Sequence, residues 1–163
     1  MSEVLNDKQI RKKVTRMAYE IYERNLQTAG VVFAGVSGMG LILSNLLASE
    51  LRTISDLSVE ELEVKLDKSN ISQSKISLSR ELDLSGKSLI LVDDVLNTGR
   101  TVAYAMKPFL EEDISKMELA VLVNRAHGLF PLRPDYTGYE LATTLNEHIQ
   151  VDLSGSQYSV HLL

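Results

Sequence analysis

The part of the sequence richest in reactive side chains is the segment 89–101. Four apolar residues, Leu89-Ile90-Leu91-Val92, are followed directly by two acids, Asp93 and Asp94. Burial of these acids without partners would be costly, and adjacent carboxylates bind either polyol hydroxyls or a cation. Asn97-Thr98-Gly99-Arg100-Thr101 then supplies a turn with a glycine, two hydroxyls and backbone N–H groups at the start of a helical pattern, a typical phosphate cradle. The segment therefore predicts a site for a phosphorylated sugar.

Two other interpretations of this segment are open. Asp93-Asp94 could simply cap the following helix, with Thr98-Gly99 turning the chain. An apolar strand ending in acids is also typical of a Walker B strand, which holds magnesium near a nucleoside triphosphate. That interpretation requires a G-x-x-x-x-G-K-[ST] loop, and the candidate at residues 35–41 has no lysine. The same loop does not fit G-x-G-x-x-G, which argues against a dinucleotide-binding fold.

Two strand–loop–helix units must position these residues. Val31–Val36 is a short apolar run that ends in Ser37-Gly38-Met39-Gly40, and residues 41–51 continue at helical spacing. Ser88–Val92 is the second strand, and a helical pattern runs over residues 102–110. Strands separated by helices predict an α/β fold with a mostly parallel sheet of about five strands and helices on both faces. Both loops should then lie at the carboxyl edge of the sheet, where ligands bind.

The rest of the chain supplies further elements. The patterns predict an opening helix at Asp7–Leu26. They also predict three more strands, at Met117–Val123, Ile149–Leu153 and Tyr158–Leu162. Residues 54–87 are ambiguous, because Leu62, Val64 and Leu66 alternate as in a strand whereas Ser58 and Glu61 fit a helix capping box. We favour the strand.

Composition limits the class of protein. The chain has 163 residues, which predicts one domain over residues 1–163. Its formal charge of -5 argues against a globally cationic nucleic-acid binder, and the absence of cysteine excludes disulfides and thiolate metal sites. The N-terminal sequence does not resemble a secretory signal, and no run approaches 18 apolar residues. We expect a soluble, cytoplasmic protein that does not act on a membrane.

The segment 89–101 resembles the signature by which type I phosphoribosyltransferases bind phosphoribosyl pyrophosphate (PRPP). In detail it is most similar to the family of bifunctional pyrimidine-operon attenuators and uracil phosphoribosyltransferases. Residues 15–25 resemble the first helix of that family, residues 121–138 its base-side segment, and Thr143, Thr144 and Glu147 its closing stretch. The resemblance implies a type I phosphoribosyltransferase fold, with a central parallel sheet flanked by helices and a small C-terminal hood.

The resemblance also implies an activity and a set of roles. The reaction is transfer of the phosphoribosyl group from PRPP to a pyrimidine base, uracil preferred, which gives UMP and pyrophosphate with Mg²⁺ as cofactor. Asp93 and Asp94 would be the catalytic pair that holds the ribose hydroxyls and lies near the metal. The 5'-phosphate would bind to Asn97, Thr98, Gly99, Arg100 and Thr101, and the pyrophosphate to Ser37, Gly38, Met39 and Gly40. The base would meet Val95, Asn124 and Arg125.

The sequence departs from the family pattern at several of these positions. The pyrophosphate loop of the family has a basic residue followed by Thr-Arg-Gly, whereas Ser37–Gly40 contains no cation. Loss of an arginine contact to pyrophosphate corresponds to about 1.5 to 3 kcal/mol. Residues 67–75 align with the catalytic loop, which we expect to be mobile, but lack the Tyr-Arg-Asp-Asp of the family, and Lys68 and Lys75 are the nearby cations. Asn124 replaces an aspartate and Gly128 an arginine.

Regulation through RNA is the second function that the resemblance implies. Five cations lie close together near the N-terminus, namely Lys8, Arg11, Lys12, Lys13 and Arg16. They could form a phosphate-binding face, but charge runs of this kind usually form the solvated face of an amphipathic helix. The alternative function is therefore a PRPP- or nucleotide-sensing regulator with little catalysis, with or without RNA binding. The resemblance further implies a homodimer or higher homo-oligomer.

Overall fold

The fold is that of a computed structural model, in which residues 1–125, 127–144 and 146–163 are described. Its centre is a six-stranded sheet with the order β4-β3-β2-β5-β6-β7. These strands span Val31–Val36 (β2), Val59–Lys65 (β3), Ser77–Leu78 (β4), Ser88–Leu96 (β5), Lys116–Asn124 (β6) and Tyr136–Glu140 (β7). Five of them run parallel, and the short β4 is an antiparallel edge. The predicted α/β fold with a mostly parallel sheet is confirmed.

Helices cover both faces of this sheet. Helix α1 (Asp7–Arg24) and helix α2 (Met39–Ile54) pack on one face, and helix α3 (Arg100–Ala105) packs on the other. Alternate side chains of β2 point to opposite faces of the sheet. Phe33 belongs to the core under α1 and α2, whereas Val32 belongs to the core under α3. Both side chains are fully buried, so the carboxyl edge of the sheet sits on a rigid, two-sided core.

A second, three-stranded antiparallel sheet has the order β1-β9-β8. It consists of Ser2–Leu5 (β1), Ile149–Asp152 (β8) and Ser159–Leu162 (β9). The two C-terminal strands agree with the predicted hood, but the N-terminal strand completes it and was not predicted. The reason is that Leu5 is the only fully buried side chain of β1, so the alternating pattern typical of a strand is absent.

The ambiguous region contains both a strand and a short helix. β3 confirms the strand interpretation, although it ends at Lys65, one residue before Leu66. The polar segment that follows forms a 3-10 helix, Lys68–Gln73, which contacts α3. The helix predicted over residues 102–110 is shorter than expected, since α3 ends at Ala105 and a 3-10 turn with Pro108 near its start follows.

One further difference concerns the sheet. β7 was not predicted as a strand, because its inward positions include Gly138 and its outward ones are polar. None of the described helices is long and apolar enough to cross a membrane.

Candidate active site

The site lies at the carboxyl edge of the sheet, where two loops follow neighbouring strands. β2 pairs with β5 up to Gly35 and Val92, so the loop after β2, Ser37–Gly40, lies beside the acids Asp93 and Asp94 of β5. β5 continues to Leu96 and pairs with β6 up to Asn124. The structure thus brings both predicted loops and both acids to one edge.

The paired acids do not cap a helix. α3 begins at Arg100 with Gly99 as its N-cap residue and has no side-chain cap. Asp93 and Asp94 are instead part of β5 itself. The capping interpretation is therefore wrong, and their carboxylates are available for other partners.

Asp93 is almost completely buried, with 2% of its surface exposed. Its Oδ1 accepts hydrogen bonds from Lys68 Nζ at 3.0 Å and from the Asp94 backbone N–H at 2.9 Å. The same ammonium lies 3.8 Å from Asp94 Oδ1. A lysine from the segment after β3 therefore bridges the two carboxylates that sequence reasoning assigned to the ribose.

The charges of this group are strongly coupled. Burial raises the pKa of Asp93 to about 7, with a further contribution from Asp94, while Lys68 acts in the opposite direction. Burial tends to lower the pKa of Lys68, but attraction by Asp93 and Asp94 outweighs it, and the net direction of that pKa is upward. Lys68 is thus held as a cation. Its positive charge compensates the negative charge of the two carboxylates, which burial disfavours.

The glycine loop approaches Asp93 through its backbone. Gly38 has φ 93° and is the N-cap residue of α2. A Cβ atom on Gly40 would lie 2.9 Å from Asp93 Oδ1 and 3.0 Å from the Asp93 Cα atom, so only glycine fits without displacement. Ser37 fixes the start of the loop, since its Oγ lies 3.0 Å from both Glu63 Oε2 and the Val64 carbonyl oxygen, and its single hydroxyl hydrogen can be donated to either acceptor. The loop offers N–H groups but no side-chain cation.

The predicted phosphate loop, Asn97–Thr101, is a tight turn that leads into α3. Gly99 has a left-handed conformation, φ 89°, which favours glycine. The Thr98 hydroxyl accepts the Arg100 backbone N–H at 3.2 Å, and the Thr98 carbonyl oxygen accepts the Leu129 N–H at 2.8 Å. The Arg100 guanidinium lies 5.2 Å from the centre of the Phe130 ring. The turn is thus held by the segment that follows β6.

A cavity of about 370 Å³ opens between this loop and the ends of β6 and β7. Its polar lining includes Asn97, Thr98, Asn124, Arg133 and Glu140. Asn124 Nδ2 donates to both carboxylate oxygens of Glu140, at 3.2 and 3.3 Å. The predicted base-side residue Asn124 and the predicted phosphate loop therefore share one cavity.

Arg125 does something different in the structure. It is 5% exposed, and its Nε donates to Thr143 Oγ1 at 2.9 Å. Its Nη2 donates to the carbonyl oxygens of Thr144 and Glu147, at 3.1 and 2.7 Å. Neither Arg125 nor the half-buried Val95 is among the described residues that line the cavity. Their contact with a base stays a prediction, and the observed contacts of Arg125 hold the closing stretch.

Sequence reasoning missed three features of the site. The pairing of Lys68 with the acids is a contact across 25 residues, and no spacing rule could reveal it. Arg133 lies in a segment rich in Gly, Pro and Arg, where its charge was the only available signal. Glu140 is the last residue of β7 and would have been found as a strand-end acid, had β7 been predicted.

The donor set fits a magnesium ion that arrives with a substrate. Across residues 1–125, 127–144 and 146–163 there is no cluster of three or more His, Cys, Asp or Glu side chains that could enclose a metal. Magnesium, however, commonly binds through one or two carboxylates together with substrate phosphates and water. Asp93 and Asp94 provide that pair.

Solved structures that share this fold include phosphoribosyltransferases, so the fold is that of the type I phosphoribosyltransferases. A hypoxanthine phosphoribosyltransferase of Trypanosoma cruzi superposes with a TM-score of 0.80 over 100% of this chain and 96% of the other, at 14% identity. A hypoxanthine-guanine phosphoribosyltransferase of Bacillus anthracis gives a TM-score of 0.73 at 16% identity, over 87% of this chain and 83% of the other. At these identities the likeness concerns the fold alone.

The chain belongs to the phosphoribosyl transferase domain family, which matches residues 1–154. Among its relatives is the Bifunctional protein PyrR of Bacillus cereus (strain B4264), 38% identical over 160 residues, with 92% of this chain and 89% of the relative covered. The Bifunctional protein PyrR of Streptococcus pyogenes serotype M12 (strain MGAS2096) is 34% identical over 154 residues, with 93% and 89% covered. The family predicted from residues 89–101 is confirmed.

Proposed function

We propose that this protein transfers the phosphoribosyl group from PRPP to a pyrimidine base, with uracil preferred, and releases UMP and pyrophosphate. The observation that supports this most directly is the position of Asp93 and Asp94 within the end of β5, between a glycine loop and the Asn97–Thr101 turn. Carboxylates for a ribose and amides for its phosphate are thereby adjacent on the scaffold of a phosphoribosyltransferase.

Each part of PRPP then has a partner in the chain. The ribose hydroxyls donate to Asp93 and Asp94, and the 5'-phosphate accepts N–H and hydroxyl hydrogens from Asn97–Thr101. The backbone of Ser37–Gly40 faces the pyrophosphate. The base enters from the cavity that includes Asn124, on the side of the molecule where Val95 and Arg125 were predicted to act.

Catalysis on such a site comes mainly from positioning. The bond from C1 of the ribose to pyrophosphate loosens as the base nitrogen approaches, and the transition state resembles an oxocarbenium ion. Holding both reactants in line, in a site whose dipoles are already oriented, lowers the barrier without a covalent intermediate. The rigid two-sided core under β2 and β5 supports that orientation. Bound Mg²⁺, held by Asp93 and Asp94 either directly or through water, would compensate charge on the pyrophosphate.

The preference for uracil rests on the resemblance to the bifunctional family and on the curated relatives called Bifunctional protein PyrR. The hypoxanthine enzymes with the same fold do not argue for purines here, because their identity is at most 16%. Asn124 lines the cavity that would receive the base, and its Nδ2 would have to leave the Glu140 carboxylate to donate to a uracil ring.

A second candidate is a PRPP- or nucleotide-sensing regulator with little catalysis. The observation in its favour is that Ser37–Gly40 brings no cation to the pyrophosphate. RNA binding by this regulator receives limited support from α1, since three of the five cations at residues 8–16 have partners within the chain. Arg11 is paired with Asp7, and the Lys13 ammonium lies 5.3 Å from the centre of the Tyr139 ring. Arg16 is paired with Glu20 and donates to the carbonyl oxygens of Thr137 and Gly138.

One assay separates the two candidates. The protein is incubated with PRPP, MgCl₂ and one of six bases, namely uracil, hypoxanthine, guanine, xanthine, adenine or orotate, and nucleotides are detected by mass spectrometry. UMP as the dominant product supports the enzyme. No product from any base, together with measurable binding of PRPP or UMP, would contradict the enzyme and support the regulator. Filter binding of a pyrimidine-leader RNA over a salt series tests the RNA function, which salt-insensitive or absent binding contradicts.

The ribose assignment has its own test. Asp94→Asn should abolish the stabilisation by PRPP in thermal unfolding, because the neutral amide has one acceptor oxygen instead of two and lacks the charge that strengthens a hydroxyl hydrogen bond and attracts a cation. Asp56→Asn is the matched control, since Asp56 is exposed and lies outside the site. Unchanged stabilisation in Asp94→Asn would show that the ribose binds elsewhere.

We also propose that residues 1–163 act as one unit in the cytoplasm, assembled as a homodimer or a higher homo-oligomer. The family resemblance supports the assembly. Light scattering coupled to size-exclusion chromatography tests it, and a monomer at micromolar concentration would contradict it.

A further inference from the structure

Lys68 reaches the candidate site from a segment that is fixed on both sides. The side chain of Asp67 accepts the Ser69 backbone N–H at 3.0 Å, and the Asp67 N–H donates to Ser74 Oγ at 2.7 Å. Ile71, within the same 3-10 helix, is buried. The turn that carries Lys68 is therefore pinned, and its lysine extends from it toward β5.

The ammonium of Lys68 takes up the surface that a ribose would need. It donates to Asp93 Oδ1 at 3.0 Å and lies 3.8 Å from Asp94 Oδ1. Asp93 Oδ1 accepts a second hydrogen bond from the Asp94 N–H, and one carboxylate oxygen has about two lone pairs. A sugar hydroxyl that binds this oxygen must displace Lys68.

The place to which Lys68 can turn is the glycine loop. The position of a Cβ atom on Gly40 lies 2.9 Å from the same Asp93 Oδ1 that Lys68 contacts. The ammonium and the Ser37–Gly40 loop thus flank one oxygen atom. Because 40% of the Lys68 side chain is exposed, it can move without unpacking a core. A ligand that brings negative charge to this loop offers the displaced lysine a new partner, and a ligand without that charge offers none.

We propose that Lys68 is a specificity-determining residue, which favours a ribose 5-phosphate bearing an anionic pyrophosphate at C1 over the same sugar phosphate without it. This inference rests on the proposed function, because it assumes that the ribose binds at Asp93 and Asp94. For PRPP, Lys68 exchanges one anionic partner for another. For ribose 5-phosphate, the ion pair is lost without replacement, and the affinity is lowered accordingly.

Binding of the two ligands by calorimetry tests the proposal without any reaction. PRPP and ribose 5-phosphate are titrated into wild-type protein, Lys68→Met, Lys68→Arg and Lys107→Met, each with and without MgCl₂. Methionine keeps the length of the side chain and removes its charge, whereas arginine keeps the charge. Lys107 is the matched control, an exposed lysine of the 3-10 turn after α3 for which the described residues provide no ion pair.

The expected result is a pair of changes with opposite signs. Lys68→Met binds ribose 5-phosphate about fivefold more tightly, the value of a half-exposed ion pair, and PRPP about tenfold more weakly, the value of a charge-assisted contact. Lys68→Arg retains the preference of the wild type, and Lys107→Met changes neither affinity.

Other results would overturn the inference. If Lys68→Met leaves the affinity for ribose 5-phosphate unchanged or lowers it, Lys68 does not exclude the sugar. If in that case PRPP binding is weakened, Lys68 only contacts the pyrophosphate and does not determine specificity. If the wild type does not bind PRPP, the proposed function is refuted instead. The titrations with ribose 5-phosphate then still test whether Lys68 excludes the sugar. Thermal unfolding of each free variant establishes that it is folded.

Discussion

Replacement of Gly40 by alanine tests how closely the glycine loop must approach the paired acids. The new Cβ atom would lie 2.9 Å from Asp93 Oδ1, 3.0 Å from the Asp93 Cα atom and 3.0 Å from the Val92 carbonyl oxygen. Two of these three atoms belong to the backbone of β5, in the middle of the sheet. Rotation of the Asp93 side chain cannot relieve the overlap, so the first turn of α2 must move away from the strand.

Two opposing free energies decide the size of the effect. Alanine in a helix is favoured over glycine by up to about 1 kcal/mol. Overpacking of a well-packed contact costs about 1 to 3 kcal/mol. We therefore expect Gly40→Ala to lower the free energy of unfolding by about 1 to 2 kcal/mol. Because the displaced loop no longer fits the pyrophosphate, the affinity for PRPP should also fall, by about tenfold or more.

Urea unfolding measures the first effect, and calorimetry with PRPP the second. Gly155→Ala is the control, since the nearest atom to its Cβ position is 4.0 Å away and no strained φ is involved. That variant should be unchanged or slightly stabilised, by about 0.4 to 1 kcal/mol at most. If Gly40→Ala is as stable as the wild type and binds PRPP equally well, the close approach of loop and acid has no functional importance.

Three further changes have definite expected outcomes. Tyr136→Phe removes the hydroxyl that donates to buried Glu118 at 2.8 Å, and should lower the free energy of unfolding in urea by about 1 to 3 kcal/mol, whereas Tyr104→Phe should not. Arg125→Lys cannot make the three contacts to residues 143–147, so limited proteolysis should cleave this stretch faster, and an unchanged pattern would contradict the clamp. Removal of Mg²⁺ by EDTA should abolish product formation from PRPP and uracil, and restoration by MgCl₂ should recover it; full activity in EDTA would refute a magnesium requirement.

The parts of the site that are continuous in sequence were predictable. A buried strand, two acids, a glycine turn and a helix follow each other within residues 89–101, and their chemistry depends on neighbours along the chain. The parallel direction of most strands followed from the alternation of strand and helix, because parallel strands need such crossovers. The position of both loops at the carboxyl edge of the sheet followed from that direction.

Contacts between distant residues could not be predicted in the same way. The pairing of Lys68 with Asp93 depends on the length of β3 and on the 3-10 turn that Asp67 and Ser74 fix, and no periodicity encodes either. The hydrogen bonds from Arg125 to the closing stretch likewise depend on the tertiary fold. They require that Arg125, which directly follows β6, lies opposite residues 143–147. The N-terminal strand β1 depends on a partner near the C-terminus, more than 150 residues away, rather than on its own sequence pattern.

The acidic balance of the chain is compatible with a polyanionic substrate, because the site does not bind through net charge. With a formal charge of -5, the protein as a whole repels phosphate weakly, and salt screens that repulsion beyond about 10 Å. At the site, the loops at Ser37–Gly40 and Asn97–Thr101 present N–H dipoles, which attract phosphate at short range without a formal charge. Lys68 already compensates Asp93 and Asp94, so an incoming pyrophosphate meets a cation rather than two bare carboxylates. Since the glycine loop contributes no cation of its own, the proposed selectivity for PRPP would depend on Lys68.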